Sequence, residues 1–289
     1  MSKNTQVVVT GASGFVAKNI RKFLSQNNFD LISISRKNFT KLKNETKIVS
    51  LNYDEKDILP TIKNSHGLIH LVGIGKQSIK NDFNSINLGF TKKIINLCKK
   101  GNIEKIIFNS GLGVSKNTSI GYFISKYHAE QEIIKSGLNY TIFRPSYIVG
   151  KNDLLTLYLK KQIENKEIRI PGSGKYSIQP IYINDVSKLI KQSLIDDKFR
   201  KKILDLVGSE SITFQEYVRL FSRNKIKIKN VDLEMCYNEA INNPRSEISV
   251  DDLNLLIGDF KGDYKKLKNI SKIEFQSIRK LLNSGILFQ

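Results

Sequence analysis

The chain has 289 residues, of which 40% are hydrophobic, so it can form one large domain or one domain with a small appendage. No apolar run approaches the roughly 18 residues that a membrane-spanning helix needs, and the polar start lacks the features of a signal peptide. Two distant cysteines and three histidines do not have the spacing of metal ligands. We therefore expect no metal and a reducing, cytoplasmic location.

The net charge of +20 comes from lysines spread along the whole chain among many Asn and Ile residues. A nucleic-acid site would instead cluster its cations among aromatic side chains, so we expect a solvated surface and no specific nucleic-acid partner. Association with an anionic membrane surface or a larger complex stays open. The positive charge of the protein also attracts anionic cofactors and substrates. Charged residues alternate with Ile over residues 223–229, which predicts a strand with one solvated face.

The first predicted element is an apolar strand over residues 6–10, followed directly by a turn that contains Gly11 and Gly14. Glycine adopts backbone angles that other residues avoid, and it lets the main chain approach a pyrophosphate. The helix that starts near Gly14 presents free N–H groups and the positive end of its dipole to that phosphate. Ala17 supplies a third small residue where this helix packs on the strand. The order of strand, turn and helix predicts a dinucleotide site.

The second predicted strand, residues 31–35, ends in Arg36 and Lys37 without a carboxylate. An Asp or Glu at this place usually binds the free 2′-hydroxyl of the adenosine ribose, whereas a 2′-phosphate requires cations. Arg36 can bind phosphate oxygens through charge-assisted hydrogen bonds. We therefore predict NADP(H) as the cofactor, with NAD(H) as the alternative.

Strands and helices continue to alternate along the first half of the chain. Further strands are predicted over residues 47–51, 67–72, 105–109 and 140–144, and helices over 55–62, 84–100 and 121–136. This alternation predicts an α/β fold with a doubly wound parallel sheet of the Rossmann type, covered on both faces. We assign residues 1–150 to this dinucleotide-binding domain. Residues 151–289 are expected to form a smaller C-terminal lobe that completes the sheet and covers the substrate site.

The strongest candidate for chemistry is the pair Tyr122 and Lys126, which lie four residues apart on one helical face. An ammonium beside a phenol favours the phenolate, so we expect a lowered pKa for Tyr122. Such a tyrosine can exchange a proton with a carbinol oxygen while a hydride moves to or from a nicotinamide. Ser110, at the end of the fifth strand, is predicted to hydrogen-bond the same oxygen.

Together these motifs resemble the short-chain dehydrogenase/reductase family, in its atypical or extended, epimerase-like branch. Four further stretches are similar to NAD-dependent epimerase/dehydratase proteins: residues 69–73, 86–89, 143–146 and 179–186. The same stretches are similar to the Rossmann-fold accessory subunit of respiratory complex I. The resemblance covers about residues 5–215 and becomes weak after about residue 220.

The resemblance implies roles for particular residues. The turn would hold the pyrophosphate, Asn52 would lie near the adenine, and residues 71–73 would pass by the adenine ribose. Ser110, Tyr122 and Lys126 would surround the nicotinamide, and residues 145 and 146 would border it. The residues so implied are Gly11, Ser13, Gly14, Phe15, Val16, Asn52, Leu71, Val72, Gly73, Ser110, Tyr122, Lys126, Pro145 and Ser146. Two positions depart from the family pattern. Asn52 replaces the usual Asp, and Ala17 replaces the third glycine of the turn.

Two hypotheses follow. In the first, the protein is an NAD(P)-dependent oxidoreductase or epimerase/dehydratase-like enzyme that acts on a small-molecule carbonyl or hydroxyl compound. In the second, it is a non-catalytic NADPH-binding module of a larger assembly. The short interval between Ser110 and Tyr122 disfavours an epimerase of UDP-sugars, since part of the loop that shapes a nucleotide-sugar pocket is absent.

Overall fold

A seven-stranded sheet forms the centre of the computed structural model, which describes residues 5–78, 80–243, 246, 248–285 and 287. The strands are β1 (Thr5–Thr10), β2 (Phe29–Ser35), β3 (Glu45–Val49), β4 (Gly67–His70), β5 (Lys105–Asn109), β6 (Asn139–Pro145), β7 (Ile148–Val149), β8 (Glu167–Pro171), β9 (Ser177–Ile178), β10 (Ile181–Tyr182), β11 (Lys202–Leu206), β12 (Ile212–Thr213) and β13 (Lys227–Val231). The helices are α1 (Phe15–Ser25), α2 (Glu55–Ile62), α3 (Phe90–Lys100), α4 (Gly121–Lys135), α5 (Leu154–Glu164), α6 (Ile183–Ile195), α7 (Phe214–Phe221), α8 (Leu233–Asn242), α9 (Val250–Leu256), α10 (Tyr264–Ser271) and α11 (Ile278–Ser284).

The strand order of the sheet is β11-β6-β5-β4-β1-β2-β3, and all neighbouring pairs are parallel. This arrangement confirms the predicted doubly wound α/β fold. The chain first adds strands on one side of β1 and then crosses to the other side with β4. The carboxyl ends of β1 and β4 therefore border the switch point, where doubly wound sheets bind their ligands.

Apolar side chains of the sheet pack on both faces, which explains the continuous hydrophobic runs in the strands. On β1, Val7 and Val9 point to one face and join α1 and α6. Val8 points to the other face and joins the cluster under α2, α3 and α4. Each such residue is fully buried, which stabilises the fold by about 1.5–3 kcal/mol.

The second half of the chain contributes a third apolar cluster, which includes Leu159, Ile168, Tyr217 and Leu281. Strand β11, also from this half of the chain, joins the main sheet beside β6. The prediction of a strand over residues 223–229 is only partly right, because β13 begins at Lys227. Residues 223 and 224 adopt left-handed backbone angles after α7 and cannot continue a strand.

The predicted long helix over residues 84–100 contains a change of helix type. Its first part, Asn84–Gly89, is a turn of π-helix, and α3 follows from Phe90. Such π-turns frequently occur at functional sites. None of the helices in the described ranges is long and apolar enough to cross a membrane.

Candidate dinucleotide cleft and active site

The turn after β1 brings two segments of backbone into close contact. Gly11 has a φ of +70°, and a Cβ at this position would lie only 2.9 Å from the Leu71 carbonyl oxygen. The Gly14 N–H donates to the Gly11 carbonyl over 2.9 Å, which closes the turn. Gly14 is also the N-cap of α1, and no side chain caps this helix. The first N–H groups of α1 are therefore available to an anion.

A cleft of about 930 Å³ extends from this turn along the carboxyl ends of β1, β2 and β4. It is lined by Gly11, Ser13, Gly14, Lys18, Arg21, Lys22, Ser35, Arg36, Lys37, Asn38, Phe39, Thr40, Leu42, Tyr53, Leu71, Val72 and Gly73. The fold thus brings together eight of the predicted cofactor residues: Gly11, Ser13, Gly14, Arg36, Lys37, Leu71, Val72 and Gly73. Phe15 and Val16 start α1, directly below this lining.

The end of the cleft beside β2 is positively charged. The Arg36 guanidinium lies 5.4 Å from the centroid of the Phe90 ring and donates to the Asn81 side-chain oxygen over 3.2 Å. Lys37 is exposed beside it. The described lining residues include no carboxylate. This end of the cleft therefore has the charge that suits a phosphate group.

Tyr53, which the sequence analysis did not select, lines this cleft in place of the predicted Asn52. Its hydroxyl accepts a hydrogen bond from the Gly11 N–H over 3.0 Å and donates to the Ile34 carbonyl over 3.1 Å. Burial raises the pKa of Tyr53 to about 12, so the hydroxyl keeps its proton. Asn52 is exposed, and its carbonyl accepts a hydrogen bond from Lys93. The sequence around Tyr53 carries no signal for its contact with Gly11, which is 42 residues away in the chain.

A buried ion pair supports the turn from beneath. The Arg21 Nε lies 2.6 Å from Glu45 Oε1, and a second Arg21 nitrogen donates to the Ala12 carbonyl over 2.9 Å. Burial raises the pKa of Glu45, but the hydrogen bonds from Arg21, Ser33 and the Leu42 N–H, together with the Arg21 charge, outweigh this effect and hold the pKa below its usual value. Arg21 is therefore a structural residue of the turn, although it borders the cleft.

The predicted pair Tyr122 and Lys126 lies on the first turns of α4, next to the loop after β5. The Tyr122 hydroxyl donates to the Ser110 carbonyl over 3.4 Å, and Lys126 Nζ donates to the Asn109 carbonyl over 3.0 Å. A Cβ at Gly73 would lie 2.9 Å from Lys126 Nζ. The lysine therefore reaches the end of the dinucleotide cleft, and this contact joins the cleft to the phenol.

The protonation of this pair differs from the expectation. Burial raises the pKa of Tyr122 to about 12, whereas the sequence analysis predicted a lowered pKa. Burial lowers the pKa of Lys126 to about 8, and the nearby Glu130 carboxylate opposes this shift. Desolvation by burial is the largest cause of the pKa shift at both groups, and Lys126 Nζ lies 6.0 Å from the Tyr122 ring centroid. At neutral pH the phenol is a proton donor beside an ammonium.

Ser110 does not direct its hydroxyl toward Tyr122. The hydroxyl is buried and donates to Glu130 Oε1 over 2.5 Å, while Glu130 also pairs with Arg144 over 2.6 Å. The next residue, Gly111, occupies the place that faces the phenol, since a Cβ there would lie 3.2 Å from the Tyr122 hydroxyl. A serine at position 111 would bring a hydroxyl near the phenol, but its Cβ would require a small shift of the Tyr122 ring.

Asn87, in the π-helical turn, connects the loop after β4 to α4. Its side-chain oxygen accepts from the Ile74 N–H over 2.9 Å, and its amide nitrogen donates to the Ser125 hydroxyl over 2.9 Å. The residue is completely buried. It lay within one of the family-like stretches of the sequence, but no role was assigned to it.

Pro145 and Ser146, at the end of β6, lie beside the loop that follows β5. The Pro145 carbonyl accepts from the Leu112 N–H over 2.9 Å, and the Ser146 N–H donates to the Leu206 carbonyl over 3.2 Å. They hold this loop and β11 together through the backbone. Pro145 and Ser146 thus lie next to residues 110–112, and their predicted role beside the nicotinamide stays a prediction.

Comparison with protein-family models gives a match to the NAD dependent epimerase/dehydratase family over residues 7–202, which is more than half of the chain. The chain belongs to this family. The match includes both the cleft and the Tyr122–Lys126 pair.

The chain is also similar to individual curated proteins. A putative UDP-glucose 4-epimerase of Methanocaldococcus jannaschii is 27% identical over 63% of this chain and 71% of the relative. The mitochondrial NADH-ubiquinone oxidoreductase 40 kDa subunit of Neurospora crassa is 22% identical over 76% of this chain. This match spans only 60% of that subunit's length.

Two solved structures show the extent of the shared fold. MoeE5 in complex with UDP-glucose and NAD superposes with a TM-score of 0.77, at 14% identity and with 97% of each chain covered. The UDP-glucose 4-epimerase of Thermotoga maritima, solved with UDP-glucose, also gives a TM-score of 0.77, at 16% identity and over 98% of this chain and 97% of its own. At such identities the similarity establishes the fold.

Proposed function

We propose that this protein is an NADP-dependent oxidoreductase that transfers a hydride at a carbonyl or hydroxyl carbon of a small molecule. The observation that carries the proposal is the contact of Lys126 Nζ with the Gly73 end of the cleft. This contact supports a site in which the acid–base side chain Tyr122, on the same helical face as Lys126, would stand near the nicotinamide end of a bound dinucleotide. Membership of the NAD dependent epimerase/dehydratase family supports the same class of chemistry.

The described residues fit a dinucleotide. Gly11, Gly14 and the uncapped start of α1 would hold its pyrophosphate, and Arg36 with Lys37 would hold a 2′-phosphate. When bound, the nicotinamide supplies or accepts the hydride. The remaining chemistry belongs to the protein: the Tyr122 hydroxyl donates a proton to the substrate oxygen, and the Lys126 ammonium stabilises the phenolate that results. Because burial raises the pKa of Tyr122, the phenol holds its proton at neutral pH, which is the form that carbonyl reduction requires.

The preference for NADP is tested by Arg36→Ala. NADPH should raise the melting temperature of the parent protein more than NADH at equal concentration, because ligand binding stabilises the folded state by mass action. Arg36→Ala should remove most of this difference, since the fork of hydrogen bonds to the 2′-phosphate is lost. Equal shifts by the two cofactors in the parent protein would contradict the assignment.

A second function, that of a non-catalytic NADPH-binding module in a larger assembly, is favoured by one observation. Position 111 has no hydroxyl to face Tyr122, and the Ser110 hydroxyl is engaged by Glu130. Complex I subunits are among the proteins that this chain is similar to. In this alternative the Tyr122–Lys126 pair would only position the cofactor, and no substrate would be converted.

A further inference from the structure

A segment from the last part of the chain lies beside the loop that carries Gly111. Residues 257–263 connect α9 to α10, and their Phe260 ring packs edge-to-face on Phe123, with 5.4 Å between the ring centroids. Phe123 in turn packs on Tyr122 at 5.3 Å. The segment therefore reaches the aromatic group that contains the catalytic phenol.

The Phe260 ring packs against two glycines, Gly113 and Gly258. Gly113 has a φ of +99°, and a Cβ at this position would lie 2.7 Å from Phe260 Cε1. A Cβ at Gly258 would overlap the other edge of the same ring. Because any larger residue at either position would displace the ring, the local sequence is specifically compatible with Phe260 in this place.

Hydrogen bonds fix the segment at both sides of the ring. Asp259 accepts from the Ser177 N–H over 2.7 Å, and the Gly262 N–H donates to the Gln179 side-chain oxygen over 2.9 Å. The Asp263 N–H donates to Asp205, on β11, over 3.0 Å. The segment is therefore held at a defined position relative to the sheet.

The path of this segment follows the carboxyl ends of the strands. On one side, Asp251 of α9 accepts from the N–H of Gln77, in the loop after β4, at 3.4 Å. On the other side, the segment is attached to β11 through Asp205. Between these points lie the ends of β5 and β6, where ligands of doubly wound sheets bind.

Two aromatic rings, Phe83 and Phe123, pack against the Tyr122 ring, and Phe260 contacts the second of them. Phe83 packs edge-to-face on Tyr122, with 5.9 Å between the centroids, and Phe123 and Phe260 continue the group. Aromatic side chains favour flat apolar ligands through burial and edge-to-face contacts. A sugar ring, whose hydroxyls need hydrogen-bond partners, would gain less from such a wall.

We propose that residues 257–263 form the substrate-facing wall of the reaction site, and that Phe260 determines specificity for a flat, apolar carbonyl compound, aromatic or alicyclic. This inference rests on the function proposed above. In the reduction, the carbonyl carbon accepts a hydride from NADPH, which becomes NADP⁺, and the carbonyl oxygen accepts the Tyr122 proton. Solvent then returns a proton to Tyr122, and the product is the alcohol.

Binding and turnover of the full chain test this proposal separately. Binding of benzyl alcohol to the protein saturated with NADPH, a pair that cannot react, is measured by calorimetry for the parent, Phe260→Ala, Phe260→Leu and the matched control Lys261→Ala, whose side chain is exposed on the same segment. We expect Phe260→Ala to weaken binding by about tenfold, as loss of a buried aromatic contact implies, and Phe260→Leu to weaken it less. Lys261→Ala should bind benzyl alcohol as tightly as the parent does. The affinity for NADPH should be the same in the parent and in every variant.

Reduction of benzaldehyde and the larger 2-naphthaldehyde by NADPH is then followed with the same variants. Phe260→Ala should raise kcat/KM for 2-naphthaldehyde relative to kcat/KM for benzaldehyde, since removal of the ring enlarges the site. An unchanged ratio, unchanged benzyl alcohol binding in Phe260→Ala, or tighter binding of UDP-glucose than of benzyl alcohol would overturn the inference. Binding that depends on Phe260 without turnover in the parent would support the wall and reject the oxidoreductase function.

Discussion

Gly111 leaves the Tyr122 phenol without a neighbouring side-chain hydroxyl at the position that faces it. Gly111→Ser would add a hydroxyl beside the phenol after a small shift of the Tyr122 ring, because the new Cβ would lie 3.1 Å from Tyr122 Cε1 and 3.2 Å from the phenol oxygen. Gly111→Ala adds the same Cβ and controls for that shift. If Tyr122 protonates a substrate oxygen, a second donor should stabilise the developing charge. We expect the serine variant to exceed the alanine variant in NADPH-dependent turnover by about tenfold or more.

Equal turnover of the two Gly111 variants would show that the phenol works without such a donor. Equal absence of turnover in the parent and in both variants would favour the module function instead. Measured affinities for NADPH serve as the control for correct folding in each case.

Lys126 is almost completely buried, and its pKa is lowered from 10.5 to about 8. Between these pH values the unfolded chain binds more protons than the folded one, so the free energy of unfolding should rise with pH across this window. Below pH 8 both states are protonated, and the full cost of burying the ammonium remains. Replacing Lys126 by Met should therefore stabilise the protein at pH 7, by up to about 3 kcal/mol, while removing turnover.

This stabilisation should shrink as the pH rises from about 8 toward 10.5. Urea unfolding at several pH values, without added cofactor, measures it. Lys92→Met, on the exposed face of α3, is the control and should change little. A Lys126→Met protein that is less stable than the parent at every pH would show that the hydrogen bond to the Asn109 carbonyl outweighs the burial of charge.

At the scale of secondary-structure elements, the buried pair Arg21–Glu45 connects α1, β3 and the glycine turn after β1. Removing one partner leaves an uncompensated buried charge, so Glu45→Leu should lower the free energy of unfolding by about 3–5 kcal/mol. The double variant Arg21→Met/Glu45→Leu should recover much of this loss, because no charge remains buried. Urea unfolding of the three proteins measures both effects, and a double variant less stable than Glu45→Leu would contradict this explanation.

Element boundaries followed the sequence where local pattern and packing agree. The helix over residues 55–62 and the strand over 105–109 occur as predicted. Strand β3 instead begins two residues before its predicted start, at Glu45, a residue that the buried ion pair with Arg21 holds in place. The π-turn at Asn84–Gly89 depends on the contacts of Asn87 with Ile74 and Ser125, which no periodicity could indicate.

For the whole molecule, the sequence was sufficient to predict the doubly wound sheet and the glycine turn after β1, because both follow from short patterns of apolar residues and glycine. Tyr53, Gly111 and Phe260 could not be predicted in this way. Their roles depend on contacts with residues far away in the chain, such as that between Tyr53 and Gly11. The side-chain direction of Ser110 was likewise set by a distant partner, Glu130, and not by its place after β5.

The central claim, that Tyr122 acts as the proton donor of an NADPH-dependent reaction, is tested most directly by Tyr122→Phe. Oxidation of NADPH is followed for the parent and the variant with a panel of aromatic and alicyclic aldehydes and ketones, together with their affinities for NADPH. The variant keeps the ring that packs on Phe83 and Phe123, so NADPH affinity should be unchanged. Turnover should fall by about 100- to 10,000-fold, as expected for the loss of a positioned acid. Undiminished turnover in Tyr122→Phe, or tight NADPH binding without turnover of any compound by the parent, would contradict the claim.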